Sequence, residues 1–238
     1  AFEEAPVLAA RLVTETALDE PFPPMYMKLG STKGTNALLE LKGAPTAFFV
    51  TKGFKDLLRI GNQARPDIFA LNIVKAPPLH QIVIEIPEQT DSQGNTLVPI
   101  HWATLEQAVK TLHQQGIKSV AVCLKNAYKN PTHEQTLALF LRKHFAYVSV
   151  STELSPQIKF LNRAETAVVN AYLSPVIDDY LSNITQKLPP NSLQVMTSAG
   201  NLVKADLFEP KDSLFSGPAG GVVGASVIGK RLGYTQLI

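Results

Sequence analysis

Four glycines, two alanines and a proline crowd into the thirteen residues LFSGPAGGVVGAS, Leu214 to Ser226. Two kinds of chemistry call for that composition. In the first, glycines at a strand-to-helix turn let backbone amides approach an anion, and the positive end of the helix adds to the attraction. In the second, Pro218 opens a helix, as proline does in a first turn, and Gly220, Gly221, Gly224 and Ala225 give it a small face against which another helix packs closely. The stretch matches neither G-x-x-x-x-G-K-[ST] nor G-x-G-x-x-G, and no lysine or acidic partner stands at the offset those loops need. Each glycine inside a helix costs about 1 kcal/mol relative to alanine, so either packing or a ligand must be its reason. Both readings stay open at this level.

Other candidates are sparser. The five histidines, His80, His101, His113, His133 and His144, form no H-x-x-x-H pair and Cys123 is the single cysteine, so no metal site is expected. No G-x-S-x-G elbow marks a serine hydrolase. Asp67, Glu165, Asp178 and Asp179 are either acid-base groups or solvated surface charges. Arg65 and Asp67 flank Pro66 and could form an ion pair or hold a loop. Arg163, on a long helical run, is a cleft residue or a structural ion-pair partner.

Composition narrows the partners. The 22 basic and 20 acidic residues are interspersed without a polybasic run, which gives no reason to expect nucleic acid or an anionic membrane. A lone Cys123 inside SVAVCLKNAY reads as a small buried apolar residue in a reducing compartment. No apolar run approaches the roughly 18 residues of a membrane span, and AFEEAPVLAARL lacks the basic flank and cleavage pattern of a signal peptide, so a cytoplasmic protein is expected. The absence of an initial methionine suggests a piece of a longer protein.

The elements that must position these residues alternate between helix and strand. TLEQAVKTLHQQG places Leu105, Ala108, Val109 and Leu112 at helical spacing, with Thr104 and Gln107 as a capping box and Gly116 at the end. KSVAVCLKNAY then reads as a strand, NPTHEQTLALFLRKHF as a helix capped by Thr132 and Gln135, and YVSVST as a strand, which implies parallel pairing across a crossover. Upstream, TNALLELKGA predicts a helix closed by Gly43, TAFFVTKGFKDLLRI a strand, a turn at Gly53 and a helix, and HQIVIEIPEQTDSQGNTLVPI two strands around a turn at Asp91 to Asn95. A long helix starts near Asn162, with Pro175 expected to kink or interrupt it, and LQVMTSAGN and DSLF each predict a short buried strand.

GSTKGTNALLELKGAPTAFFVTKGFKDLLRIGNQARPDIFAL, Gly30 to Leu71, resembles the N-terminal region of the hydantoinase A/5-oxoprolinase family without a gap. GIKSVAVCLKNAYKNPTHEQ, RAETAVVNAYLSPVIDDYL, MTSAGNL and SGPAGGVVGA resemble later blocks of that family in the same order, and together these cover most of the chain. QARPDIF and Leu29 stand nearer to 5-oxoprolinases than to hydantoinases. The resemblance implies a fragment of an ATP-dependent cyclic amide hydrolase that, with Mg²⁺, opens 5-oxo-L-proline to L-glutamate and releases ADP and phosphate, a step of glutathione metabolism. An N-methylhydantoinase or ketone carboxylase subunit is the alternative within the family, and a non-catalytic scaffold the alternative outside it. The implied partners are a small lactam or hydantoin and a B-type component, fused or separate; a homo-oligomer stays open.

The implied fold is α/β, with mixed-sheet three-layer units resembling part of the actin/Hsp70/sugar-kinase (ribonuclease H-like) fold, incomplete because two D-x-G-G-T hairpins would lie before and after this stretch. Residues 1–160 would be the N-terminal-type region and 161–238 the start of the hydantoinase A-type region with its connecting helix, and this piece alone would not hydrolyse ATP. By motif position Thr32, Thr35 and Asn36 would bind an anion at a helix start beside the cleft, Arg65 and Asp67 would orient substrate, and Arg163 and Ser198 would be further cleft residues. Ser216, Gly217, Gly220 and Gly221 would lie at a hinge close to the phosphates, which favours a packing and gating role for the glycines. Lys33 with Gly34, Gln89, and Ala199 with Asn201 depart from the family pattern, the last pair removing a side chain from the SAGNL loop.

Overall fold

A computed structural model describes residues 4–65 and 67–236; the side chain of Thr104, half of an expected capping box, lies outside the described set. In chain order the elements are α1 (Ala5–Thr14), β1 (Met27–Leu29), α2 (Lys33–Leu39), β2 (Thr46–Thr51), α3 (Leu57–Ile60), β3 (Ile82–Ile86), β4 (Gln89–Thr90) and β5 (Thr96–Val98). There follow α4 (Ala103–Gln114), β6 (Ser119–Cys123), α5 (Thr132–Leu141), β7 (Tyr147–Val150), α6 (Ser151–Leu154), α7 (Phe160–Thr185), β8 (Leu193–Met196), β9 (Leu202–Lys204) and α8 (Ser216–Arg231). Contacts divide them into two compact units: one contiguous, Gly43–Pro175, and one assembled from Ala1–Lys42 and Val176–Ile238. The sequence division at 160 and 161 falls at the first turn of α7, whereas the contact division cuts that helix at Pro175, through which it runs on as helix.

The contiguous unit is built on a four-stranded sheet in the order β3-β2-β6-β7, every neighbouring pair parallel. Parallel strands are covered on both faces and need apolar side chains on both. TAFFVT and SVAVC meet that need, with every residue of β2 and β6 buried. Ala47, Phe49, Val120 and Val122 pack on one face against Leu105, Val109 and Leu112 of α4 and Leu137 and Leu141 of α5. Phe48, Val50, Ala121 and Cys123 pack on the other against Ala164, Ala167, Val168 and Ala171 of α7. Three layers result, and each large side chain such as Phe48 or Phe49 contributes about 2–3 kcal/mol by leaving water. The alanines of α7 bring its backbone close to the sheet: Ser119 donates its hydroxyl hydrogen to the Ala171 carbonyl at 2.5 Å.

Several local expectations are corrected. The helix α2 ends at Leu39, and Leu41, with φ 53°, is the left-handed residue that closes it, not Gly43. Gly43 is set instead by Tyr172, whose ring would stand 2.1 Å from an added Cβ. The two strands expected around Asp91 are three: Pro87 ends β3, which joins the parallel sheet, while the turn joins β4 to β5. There Asp91 accepts the Gln93 and Asn95 amides and the Asn95 side chain, and these bonds hold its carboxyl below the usual range. The helix α5 starts on Thr132 itself, without a side-chain cap.

The second unit carries a smaller mixed sheet, β1-β8-β9, with β1 parallel and β9 antiparallel to β8. Gly200, at φ 81°, turns β8 into β9, a strand the sequence did not announce. DSLF is not a strand: residues Pro210–Ser213 form a 3₁₀ turn, because Pro210 has no N–H to give a ladder and the Asp212 carbonyl is taken by Ser198. The glycine-rich stretch is helical from Ser216, two residues before the expected start, so Pro218 sits inside the first turn where a missing N–H costs nothing.

Candidate functional site

In the discontinuous unit the start of α8 meets the loop between β1 and α2. The Ser216 hydroxyl lies 2.8 Å from the Ser31 carbonyl and 3.0 Å from that of Ser213, and it accepts the Ser31 amide at 3.4 Å. Thr35 donates its hydroxyl hydrogen to the Leu214 carbonyl. Ser198 donates to the Asp212 carbonyl at 2.7 Å and accepts the Phe215 amide at 3.0 Å, which serves the entry to the helix. An added Cβ at Gly217 would stand 3.2 Å from Thr32 Cγ2, and one at Gly34 would stand 2.0 Å from Ser213 Oγ. Gly220 faces Met196, whereas Gly221 and Gly224 have nothing within 4 Å among the described residues. Thr32, Thr35, Ser198, Ser216, Gly217 and Gly220 are thus gathered at one place, and the hydroxyls of Thr35, Ser198 and Ser216 are spent on backbone groups that brace it. Thr32 and Asn36 are exposed, with no side-chain hydrogen bond among the described residues. Nearby, Lys33 Nζ sits 5.5 Å above the Tyr180 ring, and burial pushes the Tyr180 phenol up.

The contiguous unit carries the other candidates. Arg65 and Asp67 are exposed, and Asp67 accepts the Phe69 amide at 2.9 Å, which fixes the turn after it. Arg163 is fully buried, not in a cleft: it donates to Ser151 Oγ at 2.5 Å and to the Leu124 carbonyl at 2.9 Å, with Glu134 3.4 Å away. Glu134, equally buried, accepts the Leu124 and Thr152 amides and the Ser151 and Thr152 hydroxyls. Burial pushes the Cys123 thiol up to about 12, the Glu134 charge adding to the effect and Arg163 opposing it.

A second cluster escaped the sequence reading. The strand β2 has β3 on one side and β6 on the other, so chain direction across the sheet reverses between β2 and β6, the place where parallel sheets open a crevice at their carboxyl ends. Thr51 ends β2, and its hydroxyl donates to Glu88 Oε1 at 2.5 Å while accepting the Lys125 amide at 2.8 Å. Glu88 Oε2 lies 2.7 Å from His133 Nδ1, with the carboxylate wholly shielded from solvent. A cavity of about 310 Å³ opens beside them, lined by Thr51, Lys52, Phe54, Glu88, Gln89 and Lys125, the Lys125 ammonium 5.2 Å above the Phe54 ring. The available signal was the order of strands, which cannot be read before pairing is known. Among the described residues no group of three or more His, Cys, Asp or Glu is placed to hold a metal ion, and no helix is long and apolar enough to cross a membrane.

The two regional patterns are matched by family models: residues 3–145 match the hydantoinase/oxoprolinase N-terminal region, and residues 163–238 match hydantoinase/oxoprolinase. The chain belongs to the hydantoinase/oxoprolinase family. Among its relatives, the 5-oxoprolinase of Saccharomyces cerevisiae is 39% identical over 231 residues, which is 84% of this chain and 18% of that protein. The 5-oxoprolinase 1 of Arabidopsis thaliana is 37% identical over 258 residues, 94% of this chain and 20% of that one. The chain therefore spans about a fifth of the length of these curated relatives. The crystal structure of an ATP-dependent caprolactamase from Pseudomonas jessenii superposes with a TM-score of 0.74 at 27% identity over 86% of this chain and 31% of that one. The α/β architecture, with its parallel sheet and its smaller mixed sheet, is thus the fold of the family. Gln89, expected from the sequence as a departure from the family pattern, lines the crevice at the ends of β2, β3 and β6.

Proposed function

We propose that the full-length protein containing this chain is an ATP-dependent cyclic amide hydrolase acting on 5-oxo-L-proline. The observation that carries this reading is that both family regions occur in order, with 5-oxoprolinases 37 to 39% identical across 84 to 94% of the chain. An unstrained lactam is a poor electrophile, and phosphoryl transfer to its carbonyl oxygen makes a centre that water attacks, with ADP and phosphate released. Among the described residues no group of three or more His, Cys, Asp or Glu is placed to hold Mg²⁺, and at the start of α8 the Ser216 side chain is buried and Gly217 lies against Thr32. The phosphate grip for that transfer is therefore expected from other parts of the full-length protein. In this reading the serine and threonine hydroxyls at the α8 start hold the helix in register, Thr32 and Asn36 are the polar side chains left free to meet a ligand, and a B-type component and a cytoplasmic location complete the assignment.

The test is ADP release by the purified full-length protein with ATP, Mg²⁺ and one of L-5-oxoproline, N-methylhydantoin, caprolactam or acetone with bicarbonate. Stimulation by 5-oxoproline with stoichiometric L-glutamate is expected. Stimulation by another of these alone moves the assignment to that substrate, and none by any of them makes the protein a scaffold.

A further inference from the structure

Between the end of α3 and the start of β3 the chain runs through residues 61–81 without a helix or strand among those described. Loops of that length inside a compact unit are uncommon and generally serve a purpose. This one walls a cleft of about 1160 Å³ into which Lys55, Arg59, Arg65 and Lys75 converge, against a single carboxylate, Asp56. Four positive charges and one negative give +3, more than the +2 of the entire chain, so the rest of the protein sums to −1. Two exposed cations outside the cleft are ion-paired, Lys42 with Glu40 and Arg142 with Glu153. Lys55, Arg59 and Arg65 form no ion pair among the described residues, and Lys75 is turned to the carbonyls of Ile60, at 2.6 Å, and Arg59. His80 lines the same cleft, its ring 5.6 Å from that of Phe48, and its Nδ1 is buried without a hydrogen-bond partner among the described residues. The polar complement of this wall is incomplete as it stands.

Cations gathered in one concavity repel each other, and a cleft walled by protein focuses their field, so an anion that enters it is favoured. We propose that this cleft binds a small oxyanion of two or more charges, a phosphate or carboxylate compound, held by Arg59 and Arg65 as planar donors and by Lys55 as a point charge. The site is independent of the helix start in the other unit and does not require the substrate assignment made above.

Phenylglyoxal footprinting of the full-length protein tests it, with arginine modification read peptide by peptide by mass spectrometry. One sample contains inorganic pyrophosphate and another L-glutamate. Protection of Arg59 and Arg65 of about tenfold, the equivalent of 1.4 kcal/mol, is expected from one of the two, with the exposed Arg231 unaffected. Protection by pyrophosphate identifies a phosphate ligand, and protection by glutamate a carboxylate. Lys55→Ala should raise the anion concentration for half-protection several-fold, while Lys110→Ala on α4 should not. Equal modification of both arginines with and without either anion, or protection indifferent to Lys55, overturns the proposal. ADP release with 5-oxoproline alongside unprotected arginines would leave the enzyme assignment standing and remove only this site.

Discussion

Arg163 and Glu134 show how little a residue's type says about its task. Both belong to polar blocks of the sequence, NPTHEQ and LNRAET, and either could have lined a cleft. Instead they share the interior beneath the sheet ends, where Glu134 accepts from two amides and two hydroxyls, and Arg163 donates to a hydroxyl, a carbonyl and Glu134 while its Nε is buried with no hydrogen-bond partner among the described residues. Charge taken so far from water is tolerated only while its partners persist, and removing one member of a buried pair costs about 3–5 kcal/mol. Arg163→Met should therefore lower stability to urea unfolding by about 3 kcal/mol, because Glu134 keeps its neutral donors and loses its counter-charge. Adding Glu134→Gln to that variant should cost less than Glu134→Gln does alone, a coupling of at least about 1 kcal/mol. Strict additivity would show that the two charges act separately.

Among the elements, α2 is closed in an unusual way. The Lys42 amide bonds to the Ala37 carbonyl at 2.8 Å and the Leu41 amide to that of Leu38 at 3.3 Å, the pair of bonds that ends a helix on a left-handed residue. Glycine adopts that conformation without penalty, whereas a leucine pays about 1 kcal/mol for it. Leu41 is 58% exposed, so its side chain returns little in packing. Leu41→Gly should raise the urea midpoint by the equivalent of about 0.5–1 kcal/mol, and a lower midpoint would mean that the leucine makes contacts worth more than the strain. The same turn shows what was legible in advance. A helix over TNALLEL and its termination before the strand TAFFVT follow from local composition; the choice of Leu41 over Gly43 does not, because Tyr172, far along the chain, claims the space at Gly43. Likewise the apolar runs of β2 and β6 announced buried parallel strands, while β9 and the 3₁₀ turn at Pro210–Ser213 depend on partners that sequence spacing leaves undefined. The cluster at the α8 start was legible through the family motifs. The Thr51, Glu88 and His133 cluster was not, since only the strand order brings those three together.

At the scale of the molecule, the contiguous unit interrupts the other one, leaving it at Gly43 and returning at Pro175. Its own two ends are adjacent: the Ala44 amide bonds to the Tyr172 carbonyl at 2.9 Å, and Gly43 lies against the Tyr172 ring. A segment whose ends meet can be inserted into a host fold without forcing the host's two pieces apart. This segment also owns the four-stranded sheet and both of the apolar layers that cover it, so the forces that fold it are internal. Residues 43–175 expressed alone should therefore unfold in a single cooperative urea transition with the circular dichroism of a mixed α/β domain. The complementary pieces, 1–42 and 176–238, have no such self-sufficiency, since β1 pairs with β8 across the whole insertion. Joining Lys42 to Val176 by a short glycine-rich linker should rescue them. A 43–175 fragment that stays unfolded while the parent chain folds would show that its layers depend on the host, and that the ends meet because the host holds them.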